Sequence, residues 1–356
     1  MNRLYNLDYL RGLSAFGIMV YHYMGWAGGS FTSESFLGRL GVYGVSIFYV
    51  LSGLTLYYVY HKRMEPSKKQ LITFAKKRFY RIFPLLWLAT LITIILSRQF
   101  PNISDLTLNL TGLFGLFHWD GYFATGAWSI GNELVFYIFF PVFILLKNKS
   151  RIAFILLSIL ITITYLYFAY IIFDINQPLS EQWRNYVNPL NQLLLFLGGF
   201  LIGMNFKDVN IGMVTNLLLL ICGLSIFIFY PSAGDLILLV TGNNRIIFTI
   251  SCFMICLSFY KLNYKLPEIF DKPLTMLGEA SYSVYLLHPI VYSIISIGFS
   301  ILEKYLYHFP IYILVISSIL ITLGISYIVY EKFEKFFMEM SKSEKTTVPP
   351  TSFSRF

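Results

Sequence analysis

The chain has 356 residues, of which 56% are hydrophobic, 19% aromatic and only 13% charged. An ordinary soluble domain carries about 25% charged residues, so this little polar surface could not cover so much apolar side chain. That excludes a soluble enzyme, a disordered chain and a secreted disulfide scaffold. Apolar runs of membrane-spanning length recur throughout, and the chain reads as an all-α polytopic membrane protein.

Ten spans are expected in chain order, at about 9–27, 40–60, 79–97, 127–146, 152–173, 190–206, 211–230, 244–260, 274–300 and 309–330. An apolar stretch at 110–118 is too short to cross. With the N-terminus inside, 22 of the 27 Lys and Arg residues fall in inner segments, eight of them between Lys62 and Arg81. The outer side keeps five: Arg39, Arg98, Arg184, Arg245 and Lys304. This bias places both termini in the cytoplasm and accounts for the net charge of +9 without a nucleic-acid partner. Residues 1–333 form one membrane domain, and 334–356 read as a short, charged, disordered cytoplasmic tail. No cleavable signal peptide is visible, and Cys222, Cys252 and Cys256 lie inside apolar runs as reduced packing residues. Gly38, Gly41 and Gly44, then Gly198, Gly199 and Gly203, offer small faces for close helix contact.

The first span reads LDYLRGLSAFGIMVYHY. Asp8 and Arg11 are three apart and can pair at its cytoplasmic end. Arg11 and His22 are eleven apart, which returns them to within about 20° of one helix face, about 16 Å apart along the axis. The fourth span opens AWSIGNELVFY, with Ser129, Glu133 and Tyr137 on one face. The ninth carries His288, about 21 Å from its inner end, followed by Pro289. A charged group at the bilayer centre costs at least about 2.5–3.5 kcal/mol, so His22, Glu133 and His288 at similar depth suggest a site. A purely structural polar layer is the alternative reading. At the inner surface KKRFYRIFPLLW holds Lys77, Arg78 and Arg81. Two arginines one turn apart suit a phosphate or pyrophosphate; plain topological anchoring is the alternative. His61, His118 and His308 read as solvated loop residues, His118 being a minor candidate for the outer vestibule. No metal-ligand spacing is found.

These segments resemble acyltransferase family three, bacterial membrane enzymes that acylate surface sugars. The Arg-to-His spacing of Arg11 and His22, the LSG turn in GVYGVSIFYVLSGLTL, RFYRIFPLLW, AWSIGNELVFYIFFP, LGEASYSVYLLHP and SYIVYEKF match the family's motifs in order across residues 7–333. Two positions depart: Leu54 follows LSG where Phe is usual, and Glu331-Lys332-Phe333 lacks the closing Pro. With no esterase-like domain read after the tenth span, the chain is expected to be similar to the family's stand-alone branch, and the resemblance implies a bacterial inner membrane. It implies transfer of an acyl group, foremost acetyl, from cytoplasmic acyl-coenzyme A to a hydroxyl of a surface or lipid-linked carbohydrate such as O-antigen, capsule or exopolysaccharide. Acyl transfer to a hydroxyl needs a base, and His22 is the expected base or acyl carrier. Arg11, held by Asp8, with Lys77, Arg78 and Arg81, would grip the coenzyme phosphates. Glu133, Ser129 and Trp128 would hold the acceptor from outside, with Tyr137, Tyr285, His288 and Glu331 as further substrate-side or orienting groups. Two rival readings share these residues: a glycan-precursor transporter or flippase using the His and Glu as a proton relay, and a non-catalytic glycan-assembly subunit. The oligomeric state stays open, a homodimer included.

Overall fold

The computed structural model describes residues 4–62, 64, 67–262, 264–305 and 309–341. Arg3, Arg63, His308 and the tail from residue 342 lie outside the described residues. Helices make up the regular structure. The first three are α1 (Tyr5–Trp26), α2 (Phe36–Tyr60) and α3 (Lys68–Ser97); the short α4 (Ile103–Thr111) and α5 (Phe114–Phe117) follow. Next come α6 (Trp128–Lys149), α7 (Arg151–Tyr167), the short α8 (Trp183–Tyr186), α9 (Pro189–Phe206) and α10 (Met213–Phe229). The chain closes with the short α11 (Ile237–Val240), then α12 (Gly242–Lys261), α13 (Glu268–Glu279), α14 (Ser281–Glu303), α15 (Ile311–Val329) and α16 (Lys335–Met340).

Among the described residues, eight helices have the length and apolar content to cross a membrane. The other two expected spans are α10, an apolar helix of 17 residues, and α1, which carries Asn6, Asp8, Arg11 and His22. Hydroxyl and serine N-caps start several helices: Ser35 accepts from the Gly38 amide, Ser67 from Gln70 and Ser150 from Ala153. The stretch at 110–118 does not cross; Phe114 is buried and Gly115 packs against the Gly131 backbone of α6.

The expected span over 274–300 is divided. α13 ends at Glu279, Ala280 caps it, and the crossing helix starts at Ser281. His288 is therefore only about 10 Å from the start of its helix. At the other end, the helix expected to stop near residue 330 runs on. A π-helical turn at Tyr330–Glu334 joins α15 to α16, so the part of the expected tail up to Met340 is helical.

α2 and α9 make the closest interhelical contact. A Cβ on Gly53 would meet the Phe196 carbonyl, and one on Gly199 would meet that of Val50, so the two backbones touch directly. α13 packs on α1 in the same way, through Gly12 and Gly278. Cys252 and Cys256 are buried and reduced, as expected, and Cys222 is reduced on the outer surface of the bundle.

The basic loops gather at one end. Lys207 Nζ lies 2.7 Å from His61 Nε2, Lys261 donates to the Lys207 carbonyl at 3.1 Å, and Asn6 donates to that of Leu262. His61 is thus half-buried rather than solvated; burial and the neighbouring ammonium hold it below the ordinary histidine value. At the opposite end, two of the five expected outer cations are not loop charges at all. Arg39 is buried and donates to the carbonyls of Ser33, Phe227 and Tyr230, closing the end of α10. Arg245 is buried against the Tyr165 ring at 3.8 Å and bonds Asn191. The asymmetry between the two faces is thereby sharper than the raw count. A cysteine probe at Phe100, which is 97% exposed, should react with an impermeant thiol reagent added outside intact cells, and one at Lys68 should react only after lysis. The reverse pattern would invert the orientation.

Candidate active site

Among the described residues, one cavity opens within the bundle toward the basic face and another toward the opposite face. The cavity toward the basic face, about 90 Å³, is lined by Arg11, Ser52, Arg78, Arg81, Glu133 and Tyr137, with Ser129, Tyr282 and Tyr285 above them. The other, about 300 Å³, is lined by Tyr21, His22, Trp128, Trp183, Tyr186 and Asp235. Val45 and Tyr285 line both. The Tyr285 hydroxyl, which donates to the Gly126 carbonyl at 3.0 Å and sits 2.9 Å from Ser129 Oγ, is part of the partition between them.

α1 connects the two. It is unbroken from Tyr5 to Trp26, so the helical spacing read from sequence holds. Arg11 pairs with Asp8 at 3.1 Å and faces the basic cavity. His22 faces the other cavity about 16 Å further along the axis. Its ring stacks on His288, with centroids 5.3 Å apart, and on Trp26 at 5.1 Å. His288 is 1% exposed and borders neither cavity. Its Nδ1 lies 3.1 Å from the Val284 carbonyl. A carbonyl can only accept, so the proton is assigned to Nδ1 and Nε2 keeps a lone pair, buried and without a partner among the described residues. Tyr23 fixes the helix behind this pair, donating to the His288 carbonyl at 2.9 Å and meeting Thr322 at 2.6 Å.

Glu133 does not join the two histidines. Ser52 donates to its Oε1 at 2.8 Å and Tyr137 donates to the same oxygen, at the level of the arginines. The expected common layer of His22, Glu133 and His288 thus divides: the histidines stack, and the carboxylate belongs to the arginine cavity. The cause is helical phase. Ser129, Glu133 and Tyr137 share one face of α6, as their spacing requires, and that face looks into the basic cavity. Trp128, one residue earlier and rotated by about 100°, reaches the other cavity, packed against Trp183 and Tyr186. Of the outer trio expected from sequence, only Trp128 is there.

Arg78 is held over the Phe74 and Tyr137 rings at 5.7 and 5.6 Å. Arg81 lies one turn further along α3. The cavity therefore gathers three guanidiniums around one carboxylate. Lys77 is not among its lining residues, because α3 turns it away from Arg78. Glu331 enters neither cavity; it pairs with Lys335. The π-helical turn shifts the register by one residue, and Glu334 is buried instead, accepting from Ser283. Ser283 adjoins Tyr282, whose hydroxyl donates to the Ile82 carbonyl at 2.8 Å below Arg81. Neither Glu334 nor Ser52 was legible in the sequence: the first depends on an inserted turn, and Ser52 reads as an ordinary small residue of the LSG segment. His118 sits beside Asp105 of α4 and Asp120 of its own loop, at 3.6 and 3.8 Å, outside the cavity. No metal-ligating cluster occurs among the described residues.

The acyltransferase-domain model of family three matches residues 4–331. The peptidoglycan O-acetyltransferase OatA of Listeria monocytogenes is 25% identical over 335 residues, which covers 84% of this chain and 50% of that protein. The chain thus spans about half the length of that relative. No solved structure matches. The match includes α1, both cavities and the π-helical turn's first residues, and the chain belongs to acyltransferase family three.

Proposed function

We propose that this protein transfers an acyl group, foremost acetyl, from cytoplasmic acyl-coenzyme A to a hydroxyl of a cell-envelope carbohydrate on the other side of the membrane. One observation carries the reading: a single unbroken helix presents Arg11 to a cationic cavity at the basic face and His22 to an aromatic-lined cavity at the other. The donor side suits an anionic, phosphorylated thioester. Arg78 and Arg81 are in no ion pair among the described residues, and the carboxylate beside them is already bonded to Ser52 and Tyr137. Guanidiniums one turn apart bind phosphate oxygens in pairs. On this reading the nucleotide stays at the mouth of the narrow cavity, its arm runs up that cavity, and the thioester passes the Tyr285 partition to reach His22.

The acceptor side suits a sugar. Trp128, Trp183 and Tyr186 provide aromatic faces, and Asp235 is fixed by the amides of Leu179 and Ile237 at 2.9 and 2.8 Å. His22 takes the proton of the attacking hydroxyl as the oxygen adds to the thioester carbonyl; the carbon–sulfur bond breaks and the coenzyme leaves as its thiol. An alternative order passes the acyl group through His22 first. Glu133 orients Tyr137, over whose ring Arg78 lies, and His288 positions the His22 ring. The relative's printed role, peptidoglycan O-acetylation, supports a carbohydrate acceptor of the envelope.

The function is tested by mass spectrometry of surface glycan from a deletion strain. Loss of one acyl mass increment supports the reading, and an unchanged glycan overturns it. The donor site is tested separately. Arg81→Ala should raise the acyl-coenzyme A concentration needed for half-maximal rate about tenfold or more, the loss of a charge-assisted hydrogen bond of about 1.5–3 kcal/mol. Arg81→Lys should recover only part of it, because a point charge does not reproduce the guanidinium fork. Unchanged donor kinetics in both variants would return Arg81 to a topological role.

A further inference from the structure

A third cavity lies away from the two described above, on the outside of the bundle between α7 and α9. It holds about 650 Å³ and opens sideways, where the spans face lipid. Its walls are apolar: Ile155 and Ile159 of α7, 44% and 49% exposed, face Leu197 and Leu201 of α9 across it. The two hydroxyls in the wall are spent within α7, Ser158 donating to the Phe154 carbonyl at 2.8 Å and Thr162 to that of Ser158 at 2.9 Å. At the basic-face end stand Lys147 and Arg151, joined by Asn205, and no carboxylate lines the groove. Neither cation is in an ion pair among the described residues; Lys147 rests over the Tyr57 ring at 5.3 Å.

We infer that this groove binds an anionic glycerophospholipid of the cytoplasmic leaflet. Three features select that occupant. The groove runs along α7 from Arg151 to Ile163, about 18 Å, while one leaflet of the hydrocarbon core is about 15 Å deep. One acyl chain laid against it ends near the midplane, as a leaflet lipid does. Charge is confined to the headgroup end, and both cations there are free to meet a phosphate. The walls offer dispersion contact and no unsatisfied polar group, so chain chemistry is not discriminated and the headgroup carries the selectivity. The site is independent of the acyl-transfer reading, because none of its lining residues borders either of the other cavities.

The test uses the full chain in phosphatidylcholine nanodiscs containing a trace of phosphatidylglycerol or phosphatidylcholine with a photoactivatable acyl chain. Peptides labelled on irradiation are then mapped. The phosphatidylglycerol probe should label the α7 and α9 faces at 155–163 and 197–204 at least about fivefold more than the phosphatidylcholine probe, the factor expected from one basic residue at a membrane surface. The double variant Lys147→Gln, Arg151→Gln should abolish that excess and leave labelling elsewhere unchanged. Equal labelling of the wild-type groove by both probes would reduce it to ordinary annular contact and overturn the inference. So would stronger displacement by a polyprenyl phosphate than by unlabelled phosphatidylglycerol, which would assign the groove to a glycan carrier. The wild-type comparison needs no variant to fold.

Discussion

Replacing His22 with glutamine should lower acyl transfer by about 10²–10⁴-fold, the usual contribution of a general base, in a protein that still inserts and folds. Glutamine has similar bulk and can hydrogen-bond, but it cannot accept the hydroxyl proton at neutral pH. Packing is an insufficient reason for His22 to be where it is. The ring is half-buried, lines the cavity, and makes no hydrogen bond among the described residues. A residual rate below this range would point to an acyl carrier, since a missing covalent route costs more than a missing base. His288→Gln is the paired measurement. His288 borders neither cavity, so it acts on substrate only through the stacked His22 ring. That variant should lose less activity, about tenfold, and should alter the pH profile of the rate rather than the donor requirement. A His22→Gln enzyme working at near-normal rate would reject the mechanism and leave the stacked pair as structural.

The largest effect on stability is expected at the α2–α9 contact. Gly199→Val should leave little folded protein, recovered as aggregate in detergent or with a strongly lowered melting temperature. Its Cβ would fall on the Val50 carbonyl and near the Leu54 amide, backbone atoms of a buried helix that no rotamer change can move. Overpacking in a core costs about 1–3 kcal/mol, occasionally more, and this site belongs at the upper end because both partners are main chain. Gly298→Ala is the control. Nothing lies within 4 Å of a Cβ there, so the variant should match or slightly exceed wild type. Near-normal melting of Gly199→Val would mean that the two helices are not in backbone contact.

Much of this protein follows from short-range rules acting along one chain. Apolar run length made the spans, because only helices satisfy the backbone in lipid, and the uneven placement of Lys and Arg marked the two faces. Helical phase alone put Asp8 beside Arg11, carried Arg11 and His22 along one face, and set Ser129, Glu133 and Tyr137 in one row. Those readings are intra-helical, so sequence spacing was sufficient. Rotation of one helix against another is a different quantity. It depends on which side chains and glycines fill the interface, and no periodicity encodes it. Hence the partition of the polar groups came from tertiary structure: His22 with His288, Glu133 with the arginines, Trp128 in the opposite cavity and Tyr285 between. The break at Ala280 and the π-helical turn at Tyr330–Glu334 belong to the same class. The first moves the helix start to Ser281, and the second turns Glu334 inward in place of Glu331.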